Sequence, residues 1–452
     1  MIKKLFTDNT EGPKAMEYWR SVEDKAGEPT FPAEKDYEYT PTAKELEEYT
    51  QKGLSRRGFL GVVGASMALA TTGCIRKPVE KILPYHKRPE EIIPGNPINF
   101  ATATHIGSNV VGLLVESQEG RPTKIEGNPD HPLSNGSTNA WHQASVLDLY
   151  DPDRSTKPAY KGKSSNWKKF NAALQKELAP FKKNEGEGLA LLIEERPSPT
   201  YQRLLQEFTK KYSNARIFRH DPLAADNERA GLELAGVKNA HPFYSMDKAK
   251  VVLSIDSDFL GDEGDSLFNS QEFAKGRAFA NAPKEMNRLY AAESFFTVTG
   301  GFADHRLQLR GEEAGEFLAC VAQYVLKKLK AGSKDVRARL DARLGRLEAE
   351  HAALAKGWAT WISAVGDDLI ANKGASLVLV GNRQPARVHA LALLLNEVLG
   401  NIGKGKPAFF YPNATAVETE GLKSLAASVR AGATKTLVIL GGNPVYTAAN
   451  DA

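Results

Sequence analysis

Leu377-Val378-Leu379-Val380-Gly381-Asn382 is an apolar run that breaks into a glycine turn, the pattern of a strand buried on both faces. Pro385 follows and opens a helix in which Val388, Leu391, Leu395 and Val398 fall on one face, until Gly400 stops it. Strand, glycine loop and helix make the repeating unit of an α/β protein with a parallel sheet. The same unit recurs upstream. Leu189 to Ile193 is a continuous apolar strand. Ser198-Pro199 then supplies an N-cap with proline at the first helical position, and the helix to Tyr212 is expected to bury Leu204, Leu205 and Phe208. Ala215 to Phe218 reads as the next strand. Lys250 to Ile255 reads as another, ending in the carboxylate-rich loop Asp256-Ser257-Asp258-Phe259-Leu260-Gly261-Asp262. Downstream, Thr436 to Leu440 is a last strand running into Gly441-Gly442-Asn443-Pro444; no helix reads after it, so a truncated or split product is expected.

Outside these units the pattern changes. Val110 to Glu116, a turn over Ser117 to Pro122, and Thr123 to Gly127 read as a β-hairpin. Ala144 to Tyr150 reads as a short helix, and Phe170, Leu174 and Leu178 repeat at helical spacing up to Pro180. Glu313 to Leu329 reads as a helix with Phe317, Val321, Tyr324 and Val325 on one stripe and Cys320 beside it as a core thiol. Residues 333–360 read as a charged helix with a seam of Leu340, Leu344, Leu347 and Leu354. Between Ile75 and Pro97, prolines 78, 84, 89, 94 and 97 keep the chain out of helix and predict an extended strap.

Composition bounds the function. The chain has 452 residues, 41% hydrophobic and 25% charged, which fits two or three globular domains and excludes wholesale disorder or a polytopic membrane protein. The 59 basic and 55 acidic residues leave a net charge of +4 with no basic stripe, so nucleic acid is not an expected partner. Two cysteines, Cys74 and Cys320, cannot hold a cubane cluster, which needs four thiolates. No phosphate-loop, zinc-protease, nucleophile-elbow or dinucleotide fingerprint appears, and no histidine pairs at ligand spacing. Asp256, Asp258, Asp262 and Asp265 lack the full calcium-loop pattern and read as a solvated loop. His131, between Pro129 and Pro132, reads as fixing its turn by a hydrogen bond. Two glycine loops, Gly381-Asn382 and Gly441-Gly442-Asn443, are where backbone N–H groups could approach an anion such as a pyrophosphate; plain structural turns read equally well.

Ahead of the strap, Arg56-Arg57-Gly58-Phe59-Leu60 opens an apolar run to Thr72 that is well short of the ~20 residues a spanning helix needs. Paired arginines before such a run match a twin-arginine export signal, and Cys74 lies where a lipoprotein signal places its acylated cysteine. The alternative is a buried amphipathic helix in which Cys74 is a small apolar residue. The preceding 54 residues, with Tyr18-Trp19-Arg20-Ser21-Val22-Glu23, are polar; they are expected to be removed or to dock on a partner.

Taken in order, the twin-arginine segment, Lys81-Ile82-Leu83-Pro84-Tyr85, Arg88 to Gly95, Glu119 to Pro132 and Gln143 to Arg154 resemble the B subunit of alternative complex III, most specifically over residues 55–155. The resemblance implies an α/β, molybdopterin-oxidoreductase-like multidomain fold with a small β-rich N-terminal part and Rossmann-like parallel-sheet domains. The divisions expected are a polar extension (1–54), a signal region (55–73), a lipid-anchored tether (74–105), a small β-rich domain (106–165), a Rossmann-like domain (166–370) and a second α/β segment (371–452). It also implies a membrane-tethered component, on the periplasmic face, of a respiratory quinol-oxidising complex. Iron–sulfur clusters and c-type haems belong to iron–sulfur, multihaem cytochrome c and quinol-binding membrane subunits. Active molybdenum relatives carry a cysteine cluster ahead of the hairpin; residues 99–127 contain no cysteine, so the pterin loops at Gly381, Asn382, Gly441, Gly442 and Asn443 read as vestigial and no cofactor is expected in this chain. Two other readings are a working molybdenum or tungsten bis-pterin oxidoreductase fed by a partner's clusters, and a free periplasmic lipoprotein that binds a small ligand.

Overall fold

The computed structural model describes residues 86–448 apart from 88, 108, 197, 239, 279–285, 330–337, 339–356 and 413–416. The export arginines Arg56 and Arg57, the lipidation candidate Cys74 and the leucine seam of the charged helix lie outside the described residues. The chain is a mixed α/β protein. In order come β1 (Ile98–Ile106), β2 (Asn109–Gln118), β3 (Arg121–Gly127), α1 (Ala140–Ala144), β4 (Ala159–Tyr160), β5 (Lys163–Ser164), α2 (Trp167–Leu178), β6 (Leu189–Ile193), α3 (Pro199–Lys211), β7 (Arg216–Arg219) and α4 (Asp226–Leu234). Then follow β8 (Ala240–Tyr244), β9 (Val251–Ile255), α5 (Ser266–Lys275), β10 (Arg288–Glu293), α6 (Val298–Gly301), β11 (His305–Gln308), α7 (Ala314–Leu329), α8 (Ala359–Ala371), β12 (Ser376–Val380), α9 (Ala386–Val398), β13 (Ala408–Pro412), α10 (Leu422–Arg430), β14 (Thr436–Leu440) and α11 (Pro444–Thr447).

Two parallel sheets organise the molecule. The inner one has the order β11-β10-β9-β12 and the outer one β14-β6-β7, every pair within them parallel. β9 and β10 are buried at every position, as continuous apolar strands covered on both faces should be. On one face α7, α8 and α9 pack Phe317, Val321, Val325, Val365, Leu369, Leu391 and Leu395 against Val251, Leu253 and Tyr290. Met246, Phe259, Phe273, Leu289 and Leu377 fill the other face. Cys320 packs at the edge of the first core as a half-buried free thiol, its pKa raised by burial and then by Glu316. β8 and β13 form an antiparallel pair carrying the aromatic cluster Phe243, Phe409 and Tyr411.

Several expectations need correcting. β1 is a strand of nine residues that pairs with β2 from Ile98↔Ser117 to Ile106↔Asn109, so the hairpin is the second half of a three-stranded antiparallel sheet; an extended tether was expected there. In α3 the buried face runs through Tyr201, Leu205, Phe208 and Tyr212, and Leu204 is 50% exposed. Phe170 of α2 is exposed as well. α11 follows β14, its Asn443 side chain accepting from the Tyr446 N–H at 3.3 Å, where no helix was expected. Among the described residues no helix is long and apolar enough to cross a membrane.

Candidate functional site

In both parallel sheets the chain adds strands first to one side of a founding strand and then to the other. The inner sheet reverses between β9 and β12, the outer between β6 and β14. Such switch points splay the loops at the strands' carboxyl ends and open a crevice there. At the inner one a cavity of about 810 Å³ is bounded by the loop after β9, Asn382 and Arg383 after β12, the β1–β2 turn, the start of α4, and His241 and Tyr244 of β8.

The strand ends that frame this cavity are locked. Asp256 adopts a left-handed conformation (φ 50°) and is 3% exposed. Its carboxylate accepts from the Ser294 N–H (3.2 Å) and Oγ (2.9 Å) and from Gln384 Nε2 (3.1 Å), so one side chain ties the ends of β9, β10 and β12 together. The Gly381 N–H donates to the Ile255 carbonyl at 2.9 Å, and a Cβ at Gly381 would stand 1.8 Å from the Asp256 carbonyl oxygen. Gly381 is therefore required for two strand-end backbones to approach each other. Asp258 accepts from the Thr299 N–H at 2.8 Å. The solvated acidic loop expected from the sequence is realised only in exposed Asp262; Asp256 and Asp258 are structural pins. Among the described residues no group of three histidine, cysteine or acidic side chains is disposed to hold a metal ion.

Carboxyl groups dominate the cavity wall. Glu228, Asp258, Asp262, Glu263 and Asp265 line it, and Arg383 is its one arginine or lysine among the described residues. Burial pushes Glu228 up to about 7, with Glu263 and Asp265 adding to the rise while Tyr244, whose hydroxyl donates to it at 3.3 Å, opposes it. Burial likewise pushes Glu263 to about 7 although its carboxylate accepts from the Asp258 N–H (3.2 Å) and the Asn382 N–H (3.3 Å). Asp265 is raised by burial, with His241 opposing. On the opposite wall His142 is 3% exposed, and burial lowers its pKa. Its Nδ1 accepts from the Asn139 N–H at 3.2 Å, closing the capping box that starts α1, while its Nε2 meets no partner.

Of the sequence-predicted site residues, Asn382 reaches this cavity and Gly381 supports it from behind. Gly441, Gly442 and Asn443 do not: they lie at the outer switch point. There Gly441 (φ 77°) and Gly442 (φ 67°) approach a carboxylate, a Cβ on either standing 2.8 Å from an oxygen of Glu194, which pairs with Arg196 at 3.8 Å. His131 does fix its turn, its Nδ1 lying 3.2 Å from the Ser134 N–H and 3.1 Å from Ser134 Oγ. Sequence reasoning missed Glu228, Tyr244, Glu263, His142 and Arg383. The acidic start of α4 (Asp226, Glu228) was the one available local signal, and it marks a helix start, not a site.

No family model matches the chain. It is 24% identical over 431 residues to the menaquinone reductase molybdopterin-binding-like subunit of Nitratidesulfovibrio vulgaris, a match covering 87% of this chain. It is 28% identical over 131 residues to the A-type polypeptide of the sulfite dehydrogenase of Allochromatium vinosum, covering 27% of this chain. The matched stretches span 60% of the first relative and 13% of the second.

A molybdopterin cofactor brings pyrophosphate to its site, and the residues present do not suit it. At the inner switch point five acidic side chains face one arginine, whose guanidinium stacks on Phe295 at 4.3 Å; at the outer one Glu194 lies against the glycines. Charge of one sign crowded beside a polyanion is repulsive in a partly desolvated cleft.

Proposed function

We propose that this chain is the non-catalytic, molybdopterin-oxidoreductase-like framework of a respiratory quinol:acceptor oxidoreductase of the alternative complex III type. In this reading Arg56 and Arg57 direct export by the twin-arginine pathway. A lipid on Cys74 holds the body at the periplasmic face of the membrane. Iron–sulfur, multihaem cytochrome c and quinol-binding subunits dock on it and carry the electrons. The similarity to a molybdopterin-binding-like subunit over 87% of the chain supports the family reading. The observation that carries the non-catalytic role is the acidic lining of the inner cleft, the place where a parallel-sheet protein would receive a pyrophosphate.

The test is elemental. The complex purified from membranes through this chain should contain haem and iron but no stoichiometric molybdenum or tungsten. One molybdenum or tungsten per chain would overturn the framework reading and favour a working bis-pterin oxidoreductase. Isolation of the chain with no haem-containing partner would favour a free ligand-binding lipoprotein.

A further inference from the structure

We infer that the cleft at the β9–β12 switch point binds a small organic ammonium ion that also carries a hydrogen-bond acceptor. Two independent features converge on this. The first is the lining: Glu228, Glu263 and Asp265 face one cavity with Arg383 as its lone arginine or lysine among the described residues, and that arginine is engaged over Phe295. A cation entering the cleft offsets the cost of holding these carboxylates partly out of water. The second is His142. Because its Nδ1 accepts the Asn139 N–H and the ring is neutral, the remaining proton sits on Nε2, a buried donor with no acceptor. Leaving a buried donor unmade costs about 1–3 kcal/mol, so an acceptor on the ligand is worth that much at this point.

Size and shape narrow the class. The carboxyls are too dispersed for a metal ion, and about 810 Å³ accommodates an organic molecule. Trp141, 73% exposed on the cavity wall next to His142, offers an indole face of the kind that receives ammonium groups by cation–π attraction. This assignment stands independently of the proposed framework role, because it uses only residues of the cleft.

Choline, its neutral isostere with carbon in place of nitrogen, and tetramethylammonium separate the parts when titrated calorimetrically into the purified chain. Choline should bind saturably, and the isostere about tenfold or more weaker. Tetramethylammonium, which has no acceptor for His142, should fall between them. The pair Glu263→Gln and Asp265→Asn should weaken choline about tenfold, and His142→Phe should weaken choline but not tetramethylammonium. Co-sedimentation with phosphatidylcholine vesicles, competed by free choline, assigns the ligand to a lipid headgroup. Choline binding without sedimentation assigns it to a free amine, and either result supports the inference. Equal affinity for choline and its isostere, or no saturable choline binding by the wild-type chain, overturns it without recourse to any variant.

Discussion

The inner and outer sheets end in loops that look alike, Val380-Gly381-Asn382 and Leu440-Gly441-Gly442-Asn443, yet the two loops do opposite things. At the inner switch point the glycine is buried, its missing side chain lets two strand-end backbones touch, and a cavity opens in front of it. At the outer one the glycines are exposed, their positive φ turns the chain, and the neighbouring side chains are a glutamate and an arginine. A strand–glycine–asparagine pattern thus specifies a turn. Whether that turn fronts a cavity depends on what other segments bring to it.

The sharpest way to break this comparison is to add a methyl group to each loop. Gly381→Ala places Cβ against the Asp256 carbonyl, where backbone and not a flexible side chain must move, and should cost about 3 kcal/mol or more in urea unfolding. Gly442→Ala should cost only about 1 kcal/mol, because the obstacle is a mobile Glu194 carboxylate and the penalty is mainly that of an L-residue at φ 67°. Equal losses at the two positions would mean that the inner loop is no more tightly built than the outer.

Next in size is Asp256→Ala. It removes three accepted hydrogen bonds and leaves the Ser294 and Gln384 donors facing a buried void, for an expected loss of about 2–3 kcal/mol. If the loss is below about 1 kcal/mol, Asp256 is not the pin that holds the three strand ends.

Glu228 tests the electrostatics of the cavity. Its folded pKa of about 7 lies above the ordinary 4.5, so the folded state holds the proton more tightly than the unfolded chain does. The stability this confers is full below the ordinary value and is lost as pH rises through about 7. Glu228→Gln keeps the neutral shape at every pH. It should therefore match the wild type at about pH 4.5 and exceed it by about 1–2 kcal/mol at about pH 8, read as thermal unfolding across that range. A pH-independent difference would show that the carboxyl is not desolvated as the cavity requires.

Much of the fold was legible from the sequence, because buried parallel strands are written as unbroken apolar runs and their helices as period-3.6 stripes. β6, β9, β12 and the Phe317-Val321-Val325 stripe of α7 all fall where the pattern puts them. β1 was not legible. None of its residues is buried, so Ile98 to Ile106 carries no alternation to read, and only its pairing to β2 makes it a strand. Leu204 was misplaced because adjacent leucines leave the face of a helix undecided until Tyr201 and Tyr212 are seen to join Leu205. The cavity was least legible: Glu228, Glu263 and His142 come from separate segments, and their charges and missing partner matter only once the fold brings them to one wall.

The outer sheet supplies the smallest test. Arg216 of β7 grips Glu420 with two hydrogen bonds, Nε to Oε1 at 2.9 Å and Nη2 to Oε2 at 2.6 Å. Both side chains are more than 40% exposed, so water and salt already screen the pair. The backbone holds the same segments together without it, the Glu420 N–H donating to the Ile217 carbonyl at 2.9 Å and the Arg219 N–H to the Glu420 carbonyl at 2.8 Å. Glu420→Gln should therefore cost about 0.5 kcal/mol, and less in about 1 M salt, where charges this exposed hardly interact. A loss above about 2 kcal/mol that survives salt would mean the pair is shielded from solvent, and the outer sheet would then be as firmly pinned at this edge as the inner sheet is at Asp256.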